Sequence, residues 1–169
     1  MNEILLGAGE VYLYAYNGTD LPANGTIETE AHNVGHCAGG FSIVYKPTKY
    51  DVKNQYGRTV KSFVTKEDIT VKTGILSWDL ERLALLSTAK LQENEGLRTL
   101  TFGGGTALSA VLVRFVHQKS DGKKIRFTMI GQGGSGFSFT FGEKAVTVDA
   151  ELNAVEQIPG FLARFDEEV

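Results

Sequence analysis

Three places in the chain carry side chains whose type and spacing could do chemistry. His32, His36 and Cys37 lie within the run HNVGHC and offer three metal-capable groups. Gly35, Gly39 and Gly40 work against the helix that this spacing would need, and a structural zinc site draws on four Cys or His ligands in recognisable pairs. A fourth ligand would have to come from Glu28, Glu30 or His117, so the run reads as a polar loop beside a buried cysteine. Residues 131–136, GQGGSG, satisfy G-x-G-x-x-G after a strand. A dinucleotide site needs a helix next, to place its N-terminus against the pyrophosphate. The sequence FSFTF that follows alternates as a strand does, and the glycines read as a turn. No nucleophile sits in an elbow motif, no carboxylate pair suits acid–base work, and His117 reads as a solvated or hydrogen-bonded histidine at the end of a strand. The expectation is a protein that is not an enzyme and uses no metal or cofactor.

The third place is residues 46–66. Six bases (Lys46, Lys49, Lys53, Arg58, Lys61, Lys66) stand there against Asp51 alone, a local charge of 6 − 1 = +5. Tyr50, Tyr56 and Phe63 are interleaved with them. Basic residues among aromatics can bind nucleic acid by phosphate contacts and stacking. Yet the whole chain has a net charge of −3, whereas nucleic-acid domains carry a basic excess. Residues 1–45 hold Glu3, Glu10, Asp20, Glu28 and Glu30 and no Lys or Arg. Such opposed blocks suit contact between copies of one chain. The expected interface residues are Lys46, Lys49, Tyr50, Lys53, Tyr56, Arg58, Lys61 and Phe63.

The elements that must position these residues are strands. The 169 residues make one domain with room for a core. The one cysteine excludes an internal disulfide, and no run of about 18 apolar residues offers a membrane span. The opening MNEILLGAGEVYLY lacks the basic and apolar regions of a signal peptide, which suggests synthesis and folding in a cytoplasm. Asn17-Gly-Thr and Asn24-Gly-Thr are then turn chemistry rather than glycan acceptors.

The clearest pattern is a hairpin over residues 108–130, LSAVLVRFVHQ–KSDG–KKIRFTMI. Opposed residues must share a face, so Phe115 pairs with Phe127, Val113 with Met129 and Arg114 with Thr128. That register fits a three-residue loop, 120–122, with Gly122 left-handed. The second face mixes Leu112, Val116 and Ile130 with Arg114 and Arg126, and so calls for a covering partner, here expected to be partly the chain's own core and partly the next subunit.

Strands are expected at 10–16, 40–46, 68–78, 97–102, 137–141, 145–152 and 161–165, with a weak one at 27–34. A helix is expected over 79–90, with Leu80, Leu83, Ala84 and Leu91 on its apolar side and Asp79 or Ser77 as cap. Residues 46–66 have β-forming residues but no core of their own, and are expected to leave the body as an extended arm or long hairpin. The fold class is mainly β: about eight strands in a β-sandwich or barrel, one flanking helix and the arm.

This order resembles the tail tube (major tail) proteins of long-tailed bacteriophages. The resemblance rests on EVYLYAY, on GFSIVYK leading through a long arm to ITVKTGILSW, on the helix DLERLALLS, and on VLVRFVHQKSDGKKIRFTMI followed by FSFTF and AVTVDAEL. It implies the tail-tube fold and a virion protein made in the host bacterial cytoplasm. It also implies self-assembly into stacked hexameric rings forming a hollow tube, with neighbouring sheets joined and the arm reaching an adjacent copy. Implied partners are the tape-measure, tail-terminator and distal tail or baseplate proteins, with DNA passing through without specific binding. A lumen that conducts DNA should be neutral or acidic, so the lysines are expected away from the bore. A non-contractile tail is the leading expectation. The alternatives are the inner tube of a contractile tail or injection device, and a monomeric β-sandwich that binds a ligand such as carbohydrate.

Overall fold

The computed structural model describes residues 7–134 and 136–169. The opening residues 1–6 and Ser135 of the glycine run lie outside them. The chain is mainly β, with ten strands and two short helices among the described residues. These are β1 (Glu10–Ala15), α1 (Asn24–Ile27), β2 (Cys37–Lys53), β3 (Thr59–Ile75), α2 (Leu80–Leu85), β4 (Lys90–Asn94), β5 (Leu97–Thr101), β6 (Val111–Gln118), β7 (Lys124–Gln132), β8 (Phe137–Ser138), β9 (Val148–Ala154) and β10 (Ala163–Glu167).

One antiparallel sheet of eight strands dominates, in the order β1-β6-β7-β9-β3-β2, with β10 beside β7 and β8 beside β9. The sheet curls. Phe41 of β2 stacks on Phe115 of β6 at 4.8 Å between ring centroids, although three strands separate them along the sheet. The apolar face therefore closes on itself around Val11, Leu13, Val71, Val113, Phe127, Met129 and Leu152, with Leu83 and Leu86 of the α2 region over one side. Burying an aliphatic or aromatic side chain contributes about 1.5–3 kcal/mol, so this shared face is the main source of stability.

The hairpin over residues 108–130 has the expected register: Phe115 opposite Phe127, Val113 opposite Met129, Arg114 opposite Thr128. The Lys119 amide donates to the Lys123 carbonyl at 2.8 Å, enclosing a three-residue loop in which Gly122 has φ 87°. Its second face, however, is not left for another subunit. The chain covers it with Tyr12, Tyr16 and Ile27, and Val155, Ile158 and Phe161 pack against the same cluster. Arg114 lies 1 % exposed in this layer. Its guanidinium donates to Thr128 Oγ1 (2.8 Å), Asn24 Oδ1 (2.8 Å) and Glu28 Oε1 (3.2 Å). Burial lowers the Arg114 pKa and Glu28 opposes that shift. Arg126 donates to the same Glu28 oxygen and to Glu168, each at 2.6 Å. Burial also pushes Tyr12 up to about 12, with help from its hydrogen bond to Glu10, so the phenol stays a neutral donor.

Several local expectations are corrected. Residues 27–34 form no strand: α1 occupies 24–27, and Asn33 makes only an isolated bridge to Tyr12. The helix expected over 79–90 ends at Leu85. Asp79 does cap it, accepting from the Glu81 amide at 3.0 Å. Ser87 then ends it by donating to the Leu83 carbonyl (2.7 Å) and accepting from the Ala89 amide (3.2 Å). Leu91, placed on the helix by its spacing, instead faces Leu100 in a separate β4–β5 hairpin. Its turn residues Glu95 and Gly96 both have positive φ (49° and 81°), the pattern of a type I′ turn. The strand expected over 137–141 is regular only at Phe137–Ser138. Those expected over 145–152 and 161–165 run Val148–Ala154 and Ala163–Glu167.

Candidate assembly surface

The expected arm is the outer part of the β2–β3 hairpin. β9 pairs with β3 only from Thr70 to Ile75. Beyond that point β2 and β3 continue as a ladder of two strands, from Tyr45 opposite Ile69 to Lys53 opposite Thr59. At a rise of about 3.3 Å per residue, the stretch from Val44 to Lys53 extends the ladder about 30 Å past its last pairing with β9, with Glu156 and Leu162 bordering its base beside Val64–Glu67. Apart from Pro47 and the half-buried Asn54 and Ile69, the residues from Val44 to Ile69 are exposed, so both faces of the ribbon meet solvent.

The sequence sets the order of side chains on it. Within the ribbon β2 alternates without a break, while β3 bulges near Thr65 and Val60. Partners across the ladder share a face. One face therefore carries Lys46, Tyr50, Lys61, Phe63 and Lys66, with Tyr50 directly opposite Phe63. Lys61 Nζ lies over the Phe63 ring at 4.8 Å, a cation–π contact. Lys49 and Lys53 fall on the other face, opposite Val64 and Thr59. The tip is shaped by Asn54, whose Oδ1 accepts from the Tyr56 and Arg58 amides at 3.0 and 3.1 Å. Gly57 takes φ 73° there. This holds Tyr56 out at 78 % exposure. The expected interface residues are thus gathered on one ribbon, but divided between two faces and a tip.

Electrostatically the ribbon is open. Lys66 pairs with Asp68 at 3.4 Å. Tyr45 donates to Glu67 at 2.8 Å, and that bond is the first cause of its raised pKa. Among the described residues no ion pair is formed by Lys46, Lys49, Lys53, Arg58 or Lys61. Exposed rings beside unpaired cations suit the face of a partner.

The ribbon's edges suit a partner less well. Pro47 removes a backbone donor from β2, the two bulges break the β3 edge, and lysines line both. Such features discourage strand addition, so contact falls to the side chains on the faces.

The other sequence candidates take structural roles. A Cβ at Gly133 would sit 2.3 Å from the Leu86 carbonyl oxygen, and one at Gly131 2.9 Å from that of Asn153. These glycines allow close packing, and the next element is strand β8 rather than a helix. His32 Nδ1 lies 2.8 Å from Thr29 Oγ1, and its ring meets Tyr14 edge-on. Cys37 is half-buried, and burial pushes its thiol pKa up. His117 is buried and donates from Nδ1 to the Ala8 carbonyl oxygen at 2.5 Å. Among the described residues no three of His, Cys, Asp and Glu come together to hold a metal ion. No described helix is long and apolar enough to cross a membrane.

Sequence reasoning missed a second exposed surface. Trp78, Phe102, Phe137, Phe139 and Phe141 form a continuous aromatic cluster, with ring centroids 5.3–6.2 Å apart from neighbour to neighbour. Trp78, Phe102 and Phe141 are 49 %, 59 % and 70 % exposed. The signal was present in FSFTF: phenylalanines two apart share a strand face, and nothing in the sequence supplies a matching cover. Beside the cluster lies a depression of about 500 Å³ lined by Phe139, Glu143, Lys144 and Asp149.

No known family model matches the chain, and no curated protein matches it.

Proposed function

We propose that this chain is a structural subunit that assembles with copies of itself into stacked hexameric rings, forming the hollow tail tube of a long-tailed phage through which DNA passes. The observation that carries this reading is the two-stranded ribbon of residues 46–66, which runs about 30 Å past the last pairing with β9 with its residues largely in solvent. A two-stranded hairpin by itself is marginal in water, and one bearing exposed aromatics gains most from a partner. The curled sheet is compatible with the sandwich or barrel of a tail-tube fold. A heterologous contact repeated by rotation closes a ring, and repeated along an axis it makes a filament. On this reading the partners are other copies, tape-measure, terminator and distal tail or baseplate proteins, in a virion with a non-contractile tail. The alternative within this class is the inner tube of a contractile device.

The test is electron microscopy of the concentrated protein and of a variant with residues 46–67 replaced by a short turn. The wild type should form rings or tubes, and the variant should stay folded and monomeric. Normal polymerisation of the shortened variant would remove the arm from the proposal.

A second reading, a monomeric ligand-binding β-sandwich, is favoured by the exposed aromatic cluster around Phe139. It requires a strictly monomeric solution in which the cluster binds a small ligand such as an oligosaccharide.

A further inference from the structure

The arm and the aromatic cluster are two separate exposed surfaces of one chain, and each lacks cover. We propose that they are the two halves of one contact: the arm face bearing Tyr50, Phe63 and Lys61 docks on the cluster of Trp78, Phe139 and Phe141 of a second copy. This rests on the self-assembly reading and adds to it the surface that receives the arm.

Three observations support the pairing. The first is charge. The arm segment 46–66 has a net +5, whereas residues 136–151 hold Glu143, Asp149 and Glu151 against Lys144 alone. Glu143 and Asp149 line the depression beside Phe139, and among the described residues neither forms an ion pair. The cations over and beside Phe63 therefore meet unpaired carboxylates when a ring of the arm enters the depression.

The second is reach. A second depression, of about 460 Å³, is lined by Gly40, Ser42 and Lys72 at the root of the arm together with Phe137 and Asp149. The cluster thus lies by the root, and the ladder holds the tip about 30 Å away from it. The arm cannot reach its own chain's cluster without breaking that ladder, but it can reach that of another copy.

The third is shape of contact. The arm's edges are blunted by Pro47 and the two bulges, so its docking surface is a face of rings and ammonium groups. An aromatic platform with carboxylates at its side matches that face, since rings stack on rings and cations favour their π-faces. A contact between two different patches is heterologous and generates a chain or ring rather than a two-fold pair.

The test uses two full-length variants. The arm variant, Tyr50→Ser with Phe63→Ser, retains an intact cluster. The cluster variant, Trp78→Ser with Phe141→Ser, retains an intact arm. Both pairs of side chains are exposed, and thermal melts check that each variant folds. Either variant alone should need a roughly tenfold or higher concentration to assemble than the wild type. Mixed in equal amounts, they should form a heterodimer in sedimentation velocity, because each mixture contains one intact arm and one intact cluster.

A benzophenone amino acid in place of Phe63 gives a second readout in an otherwise unaltered chain. Its crosslink should fall on another copy, in the peptide containing Phe139 and Phe141. The proposal is overturned if the cluster variant assembles like the wild type, if the mixture stays monomeric, or if the crosslink maps elsewhere. In those cases a polymerising wild type leaves the tube reading standing. A wild type that stays monomeric overturns both, and saturable binding of a β-linked hexasaccharide to that monomer, lost in the cluster variant, assigns the cluster to a glycan.

Discussion

Glu28 carries more of the molecule than its place in a short polar segment suggests. One of its oxygens receives both Arg114 and Arg126, the first of them nearly without solvent. Removing one partner of a buried pair leaves a charge without compensation, which costs on the order of 3–5 kcal/mol. Glu28→Ala should therefore lower stability by about that amount in urea unfolding, and Glu28→Gln, which keeps an acceptor, by less. Glu168 adds a pH dependence. Its hydrogen bond from Arg126, then that from the Lys124 amide, holds its carboxyl below the usual range. A carboxyl depressed in the folded state stabilises above its unfolded value, about 4.3, and loses that contribution as pH falls through the folded one. The difference in melting temperature between wild type and Glu168→Gln should thus be present at neutral pH and vanish in acid. The pairing of Arg114 with Thr128 was legible in the sequence because strand parity is local. The burial of Arg114 was not, because Asn24 and Glu28 come from 90 and 86 residues away. The second face was therefore read as needing the next subunit for part of its cover, when that cover comes from earlier (Tyr12, Tyr16, Ile27) and later (Val155, Ile158, Phe161) parts of the same chain.

At the scale of the element, period-2 patterning predicted most of the sheet, and helical spacing misled at one place. Residues 79–91 repeat apolar positions at that spacing, but the helix ends after fewer than two turns, where Ser87 competes for a backbone carbonyl and amide. Leu91 then serves a hairpin whose turn the sequence marks only by Glu95-Gly96. A glutamate at φ 49° is strained, by on the order of 1 kcal/mol. Glu95→Asn, which tolerates that region, should raise the melting temperature. Gly133→Ala should lower it, because its Cβ would meet the Leu86 backbone and displace the end of α2 from the core. The exposed outer ladder of β2 and β3 was legible for the opposite reason: its strand-forming residues had no apolar set to face inward.

At the scale of the whole molecule, the curl of the sheet depends on pairs that no local pattern announces, such as Phe41 on Phe115. Closing the core over them leaves two unmatched surfaces outside it, the ribbon and the aromatic cluster. If the ribbon is the contact between copies, its charge should matter. Raising salt shortens the range of the lysines, with a screening length of about 10 Å at 0.1 M and about 3 Å at 1 M. Assembly followed by light scattering should weaken over that range, and Lys46→Glu with Lys61→Glu should weaken it at low salt.

The ribbon also has a mechanical consequence. A strand pair without a third neighbour twists and bends more freely than a packed sheet. A body gripped through such a stalk is fixed in distance but loosely held in angle. Copies joined this way would make a joint that tilts without parting, and the compliance would reside in the ten or so residues of each strand that the core does not touch.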